Sequence, residues 1–166
     1  RMPFANPIFP ALDTTDLAKA EAMGRALAPY CGGLKLGLEF FSAHGPQGFK
    51  AMAALGAPIF ADLKYHDIPN TVAGGVRAIA KTGIAIVNVH ATGGRAMMEA
   101  ARKAAEDAAG EKRPKVIGVT VLTSLDDGDM AATGIRSSAA EQALRLAVLA
   151  RAAGLDGVVC SPHEIG

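Results

Sequence analysis

Residues 58–90 read PIFADLKYHDIPNTVAGGVRAIAKTGIAIVNVH, and this stretch decides the fold. It begins with a short apolar run, 58–63, of strand length and bounded by a proline and polar residues, as suits a strand buried on both faces. An alanine-rich amphipathic segment follows at 70–82, with Pro69 opening it and Gly83 where a left-handed helix stop belongs. A second apolar run occupies 84–90. Strand, helix and strand in this order make a parallel βαβ unit.

The same unit repeats in both directions from this stretch. Strands are expected at 7–12, 33–38, 58–63, 84–90, 115–122 and 157–160. Helices are expected at 16–28, 46–55, 70–82, 95–109 and 139–153. Thr15 can cap the first helix, Pro46 suits a first helical position and Ser138 can cap the last. Gly56, Gly83, Gly110 and Gly154 each follow a helix as its stop. No composition break divides the chain, so residues 1–166 read as one α/β domain.

Such units close in two ways, as an open doubly wound sheet or as a (β/α)8 TIM barrel. No GxGxxG follows the first strand, which weakens the dinucleotide-binding sheet. At roughly 28 residues per unit, eight units need about 220 residues, the ordinary size of a barrel. The expectation is therefore a TIM barrel truncated after about six βα units, with two strand edges left open. Loss of the last units would make the chain a deliberate truncation, a damaged reading frame, or a part that partner chains complete.

Half the residues are apolar and a fifth are charged, which argues against disorder. The net charge of +1, without a basic block, gives no reason to expect nucleic acid. Cys31 and Cys160 are too few for a disulfide framework and include no CxxC pair, so both read as small buried hydrophobes in a reducing, cytoplasmic setting. No apolar run reaches the length of a membrane span. Residues 1–4, RMPF, lack the order of a signal peptide.

The chemistry sits at the strand ends. Asp62 and Lys64 are two apart on the third expected strand, so they point the same way. They lie at its C-terminal end, where barrels carry catalytic groups, and Asp67 follows in the loop. Alone, the Asp-x-Lys pair would be a structural ion pair at the rim. Asp13 ends the first strand and alone reads as a cap or turn residue. Lys35 lies inside the apolar run of the second strand and alone could snorkel outward. Five charges at three consecutive strand ends instead describe a pocket of alternating lysine and aspartate, able to take an anionic substrate and deliver a proton.

The segment DLKYHDIPNT, residues 62–71, resembles the signature of orotidine 5'-phosphate decarboxylases. The resemblance extends to 11–13 (ALD), 34–37 (LKLG), 87–91 (VNVHA), 119–124 (VTVLTS) and 157–161 (GVVCS), in order along nearly the whole chain. It implies decarboxylation of orotidine 5'-phosphate to uridine 5'-phosphate in pyrimidine synthesis, without metal or cofactor. By the same resemblance Lys35, Asp62, Lys64 and Asp67 form the catalytic set. Asp13 and Lys35 contact the ribose, Ile68 packs near the base and Thr123 contacts the pyrimidine. Asp67 and Thr71 reach the partner's site, which implies a homodimer.

The resemblance also implies a phosphate grip in barrel units that this chain lacks, so a non-catalytic fragment is one alternative. A magnesium-dependent sugar-phosphate lyase of the same superfamily is another, disfavoured by Lys35 standing where those relatives carry an acid. Gly93-Gly94 could bind an anion at a helix start but reads better as a tight turn. His66 and His90 lie near the proposed rim and read as structural histidines. His44 and His163 read as loop residues, and the four together lack metal-site spacing. Asp126-Asp127-Gly128-Asp129 reads as an acidic surface turn, not a calcium loop.

Overall fold

A computed structural model of the chain describes residue 4 and residues 6–164. The readings made at 1–3 and 165–166 lie outside the described residues. Among the described residues five strands and six α-helices follow in the order α1 Leu17–Leu27, β1 Leu34–Gly37, α2 Leu38–Ala53, β2 Ile59–Tyr65, α3 Pro69–Ala80, β3 Ile86–His90, α4 Arg95–Ala109, β4 Lys115–Val119, α5 Asp127–Ala132, α6 Ala139–Ala152 and β5 Gly157–Val159. The strands form one sheet in the order β1-β2-β3-β4-β5, every pair parallel.

That order decides between the two closures. A doubly wound sheet reverses direction at a switch point, with helices on both faces. Here every connection steps one strand the same way, and right-handed crossovers then lay all the helices on one side. The sheet is an arc of a barrel wall.

Alternation along the strands follows from this. In β2, Ile59, Ala61 and Leu63 are buried against the helices, while Phe60, Asp62 and Lys64 on the concave side are half-buried. The strands were expected to be covered on both faces; an arc of five does not close over its own concave side, so only the helical side is fully covered. There the core is built from Leu34, Leu36, Ile59, Val87 and Val116, packed on Phe40, Phe49, Met52, Val76, Ile79, Met97 and Met98.

The chain departs from expectation in several further places. Residues 7–12 form no ladder of their own. A single bridge joins Ala11 to Lys35, with Leu12 N–H donating to Lys35 O and Lys35 N–H to Pro10 O. Pro7 and Pro10 have no N–H to give, so this edge segment pairs only in part. The first helix is capped by Asp16, not Thr15, its carboxylate accepting from Lys19 N–H at 3.1 Å.

The third departure is that helix begins at Leu38, immediately after β1, and breaks at Gly45 (φ 57°) before Pro46 starts its second half. The fourth is the acidic turn at 126–129, which starts helix α5. Asp126 accepts from Asp129 N–H while the Asp129 side chain accepts from Asp126 N–H, a reciprocal cap that relieves two orphan donors. Ser138 and Glu141 cap α6 in the same way, as expected of Ser138. Gly56, Gly83, Gly110 and Gly154 all take positive φ at helix ends. Gly94 takes φ 86° in a tight turn before α4.

β4 stops at Val119, short of the expected Leu122. Thr120 there donates from both its N–H and its hydroxyl to Val159 O, at 3.1 and 2.8 Å. At the opposite end of the sheet Asp156 staples β4 to β5. It accepts a bidentate pair from Arg113 at 2.7 and 2.8 Å and the N–H of Val116 at 2.8 Å, with Lys115 at 3.6 Å. Burial pushes the Asp156 carboxyl up, but these donors together outweigh it and hold it below the usual carboxylate value.

Candidate active site

Asp62 is the hub of the C-terminal rim. Its Oδ2 accepts from Lys35 Nζ at 3.1 Å, and its Oδ1 accepts from Lys64 Nζ at 2.7 Å and from Asn88 Nδ2 at 2.7 Å. The carboxylate side chain is 12% exposed, against 28% for Lys35 and 30% for Lys64. Parallel pairing of Lys35 with Phe60, and of Gly37 with Asp62, brings the β1 lysine beside the β2 aspartate. Burial pushes the Asp62 carboxyl up; the hydrogen bonds from Lys64, Asn88 and Lys35, and the Lys35 charge, overcome that and hold it below its ordinary value. The aspartate is therefore anionic at neutral pH, between two cations.

The backbone around it is irregular. Ala61 pairs with Val87 and Tyr65 with Val89, so Asp62, Leu63 and Lys64 stand opposite the single residue Asn88. This is a bulge, of the kind that re-aims side chains beside active sites. Within it Lys64 has φ 48°, alone among the described non-glycine residues in taking a positive φ. A left-handed lysine costs about 1–2 kcal/mol of backbone strain. Its N–H donates to Asn88 Oδ1 at 2.8 Å. Tyr65, next along, docks on α3. A Cβ built on Gly75 would lie 3.0 Å from its ring, and burial pushes its hydroxyl up to about 12.

The other expected site residues are placed as follows. Asp67 is exposed in the loop after β2, its carboxylate accepting from Ile68 N–H at 2.6 Å. It stands outside the Lys35–Asp62–Lys64 cluster, so the chain itself gathers three of the four expected charges. Ile68 is 67% exposed, and Thr71 is exposed on the first turn of α3. Asp67, Ile68 and Pro69 flank an open cleft of about 580 Å³ with His66, Thr92 and Gly93. Asp13 is exposed just beyond the bridged segment beside β1. Thr123 is exposed in the loop after β4, lining a small cleft with Leu125, Ala139 and Ser161.

The rings of His66 and His90 lie 5.4 Å apart, tilted by 38°. Burial, then the charges of His66 and Lys64, hold the His90 imidazole below its usual range. Asn88, 0% exposed, is the site residue that sequence reasoning missed. Its signals were an amide in the middle of the apolar run IVNVH and its place in segment 87–91, to which the resemblance extends without giving Asn88 a role.

Among the described residues no three His, Cys, Asp or Glu side chains group as a metal site would need. Both Asp62 oxygens are occupied by ammonium or amide donors, and a divalent cation there would have to displace one of them. What the rim can do is hold a protonated lysine at a fixed point beside a carboxylate, on the open concave face. Fold and rim together define a barrel-type α/β protein whose strand ends carry a lysine–aspartate–lysine cluster suited to an anionic substrate and to proton delivery.

The comparisons narrow that class. The family model described as orotidine 5'-phosphate decarboxylase / HUMPS family matches residues 6–166, and the chain belongs to this family. It is 57% identical over 162 residues to an orotidine 5'-phosphate decarboxylase of Novosphingobium aromaticivorans, covering 98% of this chain and 70% of the relative. It is 54% identical to that of Rhodospirillum rubrum, covering 96% of this chain and 66% of the relative. The chain therefore spans about two thirds of the length of these relatives. A crystal structure of orotidine 5'-phosphate decarboxylase from Lactobacillus acidophilus superposes with a TM-score of 0.86 at 39% identity, over 96% of this chain and 73% of that one. A Methanocaldococcus jannaschii structure, at 23% identity and TM-score 0.76 over 92% of this chain and 69% of that one, shares the fold.

Proposed function

We propose that this chain supplies the catalytic strand ends of an orotidine 5'-phosphate decarboxylase, releasing carbon dioxide from C6 of the orotate ring to give uridine 5'-phosphate in pyrimidine synthesis. The observation that carries the reading is the Asp62 carboxylate held between the Lys35 and Lys64 ammonium groups at the C-terminal end of β2, in a chain of this family.

The chemistry follows from that geometry. When the C6–carboxylate bond breaks, its electron pair stays in an sp2 orbital that the ring hardly delocalises. An ammonium fixed at that point stabilises the pair as it forms and then gives it a proton. Lys64 takes this role, and Asp62 keeps it oriented and charged. Lys35, on the other Asp62 oxygen, balances the carboxylate and faces the ribose together with Asp13. Thr123 serves the pyrimidine and Ile68 the base. The reading asks no metal or cofactor of the chain.

Asp67 and Thr71 act across a homodimer. Support comes from the exposure of both side chains, from the open cleft that Asp67 lines, and from Ile68, a large apolar side chain left 67% in solvent. The setting proposed is the cytoplasm. Supporting it are two cysteines, both unpaired, and no helix among the described residues long and apolar enough to cross a membrane.

The test follows the ultraviolet absorbance of orotidine 5'-phosphate with the chain alone, and with the chain fused to the part of a relative that it does not span. Turnover that disappears in Lys64→Ala supports the reading. A folded fusion without lysine-dependent turnover overturns it.

A further inference from the structure

The bulge in β2 needs something to hold it, and the structure offers one side chain. Asn88 is completely buried and sits alone opposite the three residues of the bulge. Its two polar ends are used on different partners. Oδ1 takes the N–H of Lys64, and Nδ2 donates to Asp62 Oδ1, the oxygen that Lys64 Nζ also binds. The amide can sit only this way round, because a backbone N–H cannot accept and a carboxylate cannot donate. One side chain thus grips the lysine at its backbone and, through Asp62, at its ammonium.

We propose that Asn88 is the positioning residue of the site, clamping Lys64 in its left-handed conformation so that the ammonium stands at a fixed point beside Asp62. Without the clamp, the Lys64 N–H loses the Asn88 acceptor, and the strain at φ 48° relaxes by returning the residue to an extended or helical well. The lysine then swings out of register with Asp62. A shift of that kind misplaces a catalytic group by an ångström or more, which costs on the order of 10²-fold in rate. Asn88 lies behind the two charged residues, so substrate affinity is not its business. The effect falls on kcat and leaves KM within a few-fold.

A nearly isosteric variant sharpens the argument. In Asn88→Asp the introduced side chain, when ionised, repels Asp62. Once protonated, it has a carbonyl for the Lys64 N–H and a hydroxyl for Asp62, the same pattern as the amide. The like charge of Asp62 and the burial both raise the pH at which that proton binds. Activity of this variant relative to wild type therefore rises as pH falls.

The inference rests on the proposed decarboxylase reading for its kinetic arm only. Two measurements on wild type, Asn88→Ala and Asn88→Asp keep the two separable. Amide hydrogen exchange by NMR is the first. At neutral pH the Lys64 N–H is expected to exchange at least tenfold faster in Asn88→Ala, with the Leu34 and Val116 amides unchanged. Steady-state decarboxylation is the second, with kcat of Asn88→Ala expected to fall about 10²-fold at near-constant KM. The ratio of Asn88→Asp to wild-type kcat is expected to climb on acidification.

An unaltered Lys64 amide in folded Asn88→Ala overturns the clamp. So does a wild-type kcat in Asn88→Ala, or a flat Asn88→Asp ratio with activity intact. If Asn88→Ala does not fold, Asn88→Asp decides alone. A silent wild type whose Lys64 amide is released by Asn88→Ala sinks the decarboxylase reading and leaves the clamp standing.

Discussion

Replacing Asp62 by asparagine keeps the shape of the hub and removes its charge. Two ammonium groups lie 3.1 and 2.7 Å from the carboxylate oxygens. With charge centres near 4 Å apart and an effective dielectric near 20, each attraction is about 4 kcal/mol gross. Desolvation of the carboxylate and ordering of two long side chains, each nearly a third exposed, take back most of that. About 2 kcal/mol remains for the knot as a whole, in line with charge-assisted hydrogen bonds left without their acceptor.

The variant should therefore lose about 2 kcal/mol of unfolding free energy at pH 7, measured by urea titration. The pH dependence has a definite sign. The folded carboxyl lies below its ordinary value, so its stabilisation is complete above the unfolded pKa and disappears as pH falls through the folded one. The gap between wild type and Asp62→Asn should close on acidification below about pH 4. A gap under about 0.5 kcal/mol at pH 7, or one that persists unchanged into acid, would refute the reasoning.

Asp156→Asn should likewise destabilise by about 2 kcal/mol at neutral pH, because the bidentate bond from Arg113 loses its anion. Its carboxyl is also held low, so urea titrations at pH 7 and pH 3 should show this loss fading in acid. Gly154 takes φ 76° with open space around the position of a Cβ. Gly154→Ala should therefore cost about 1–2 kcal/mol of backbone strain alone, read as a lowered Tm without a change in the far-ultraviolet spectrum. In the active assembly, Lys64→Ala and Asp67→Ala chains should each be inactive. After subunit exchange a 1:1 mixture should regain about a quarter of the wild-type sites, since half the dimers are mixed and each carries one intact site. Continued silence in a mixture shown to exchange would remove Asp67 from the partner's site.

Much of the architecture could be read from the residues because it depends on local chemistry. Gly56, Gly83, Gly110 and Gly154 announce helix ends through a conformation that other residues resist. Ser138 and Pro69 mark helix starts for equally local reasons. The helix at 38–44 was hidden because it follows β1 without a turn and has no side-chain cap. Asp126–Asp129 had the composition of a surface turn, and only the reciprocal pairing of two aspartates shows it to be a cap. At the site, strand alternation is enough to put Asp62 and Lys64 on one face. The bulge that pairs three residues with Asn88 depends on a neighbouring strand, and no periodicity in β2 encodes it. Asp67, Thr71, Asp13 and Thr123 lie on the surface of this chain, where their neighbours are not set by its own core.

The strictly sequential strand order also bears on how the chain is made. Each strand pairs with the one synthesised just before it, so each new unit emerging from the ribosome meets a complete edge and waits for nothing further along. Loop closure then stays short at every step, which favours rapid assembly. Maturation can proceed in chain order, with each finished unit serving as the template for the next.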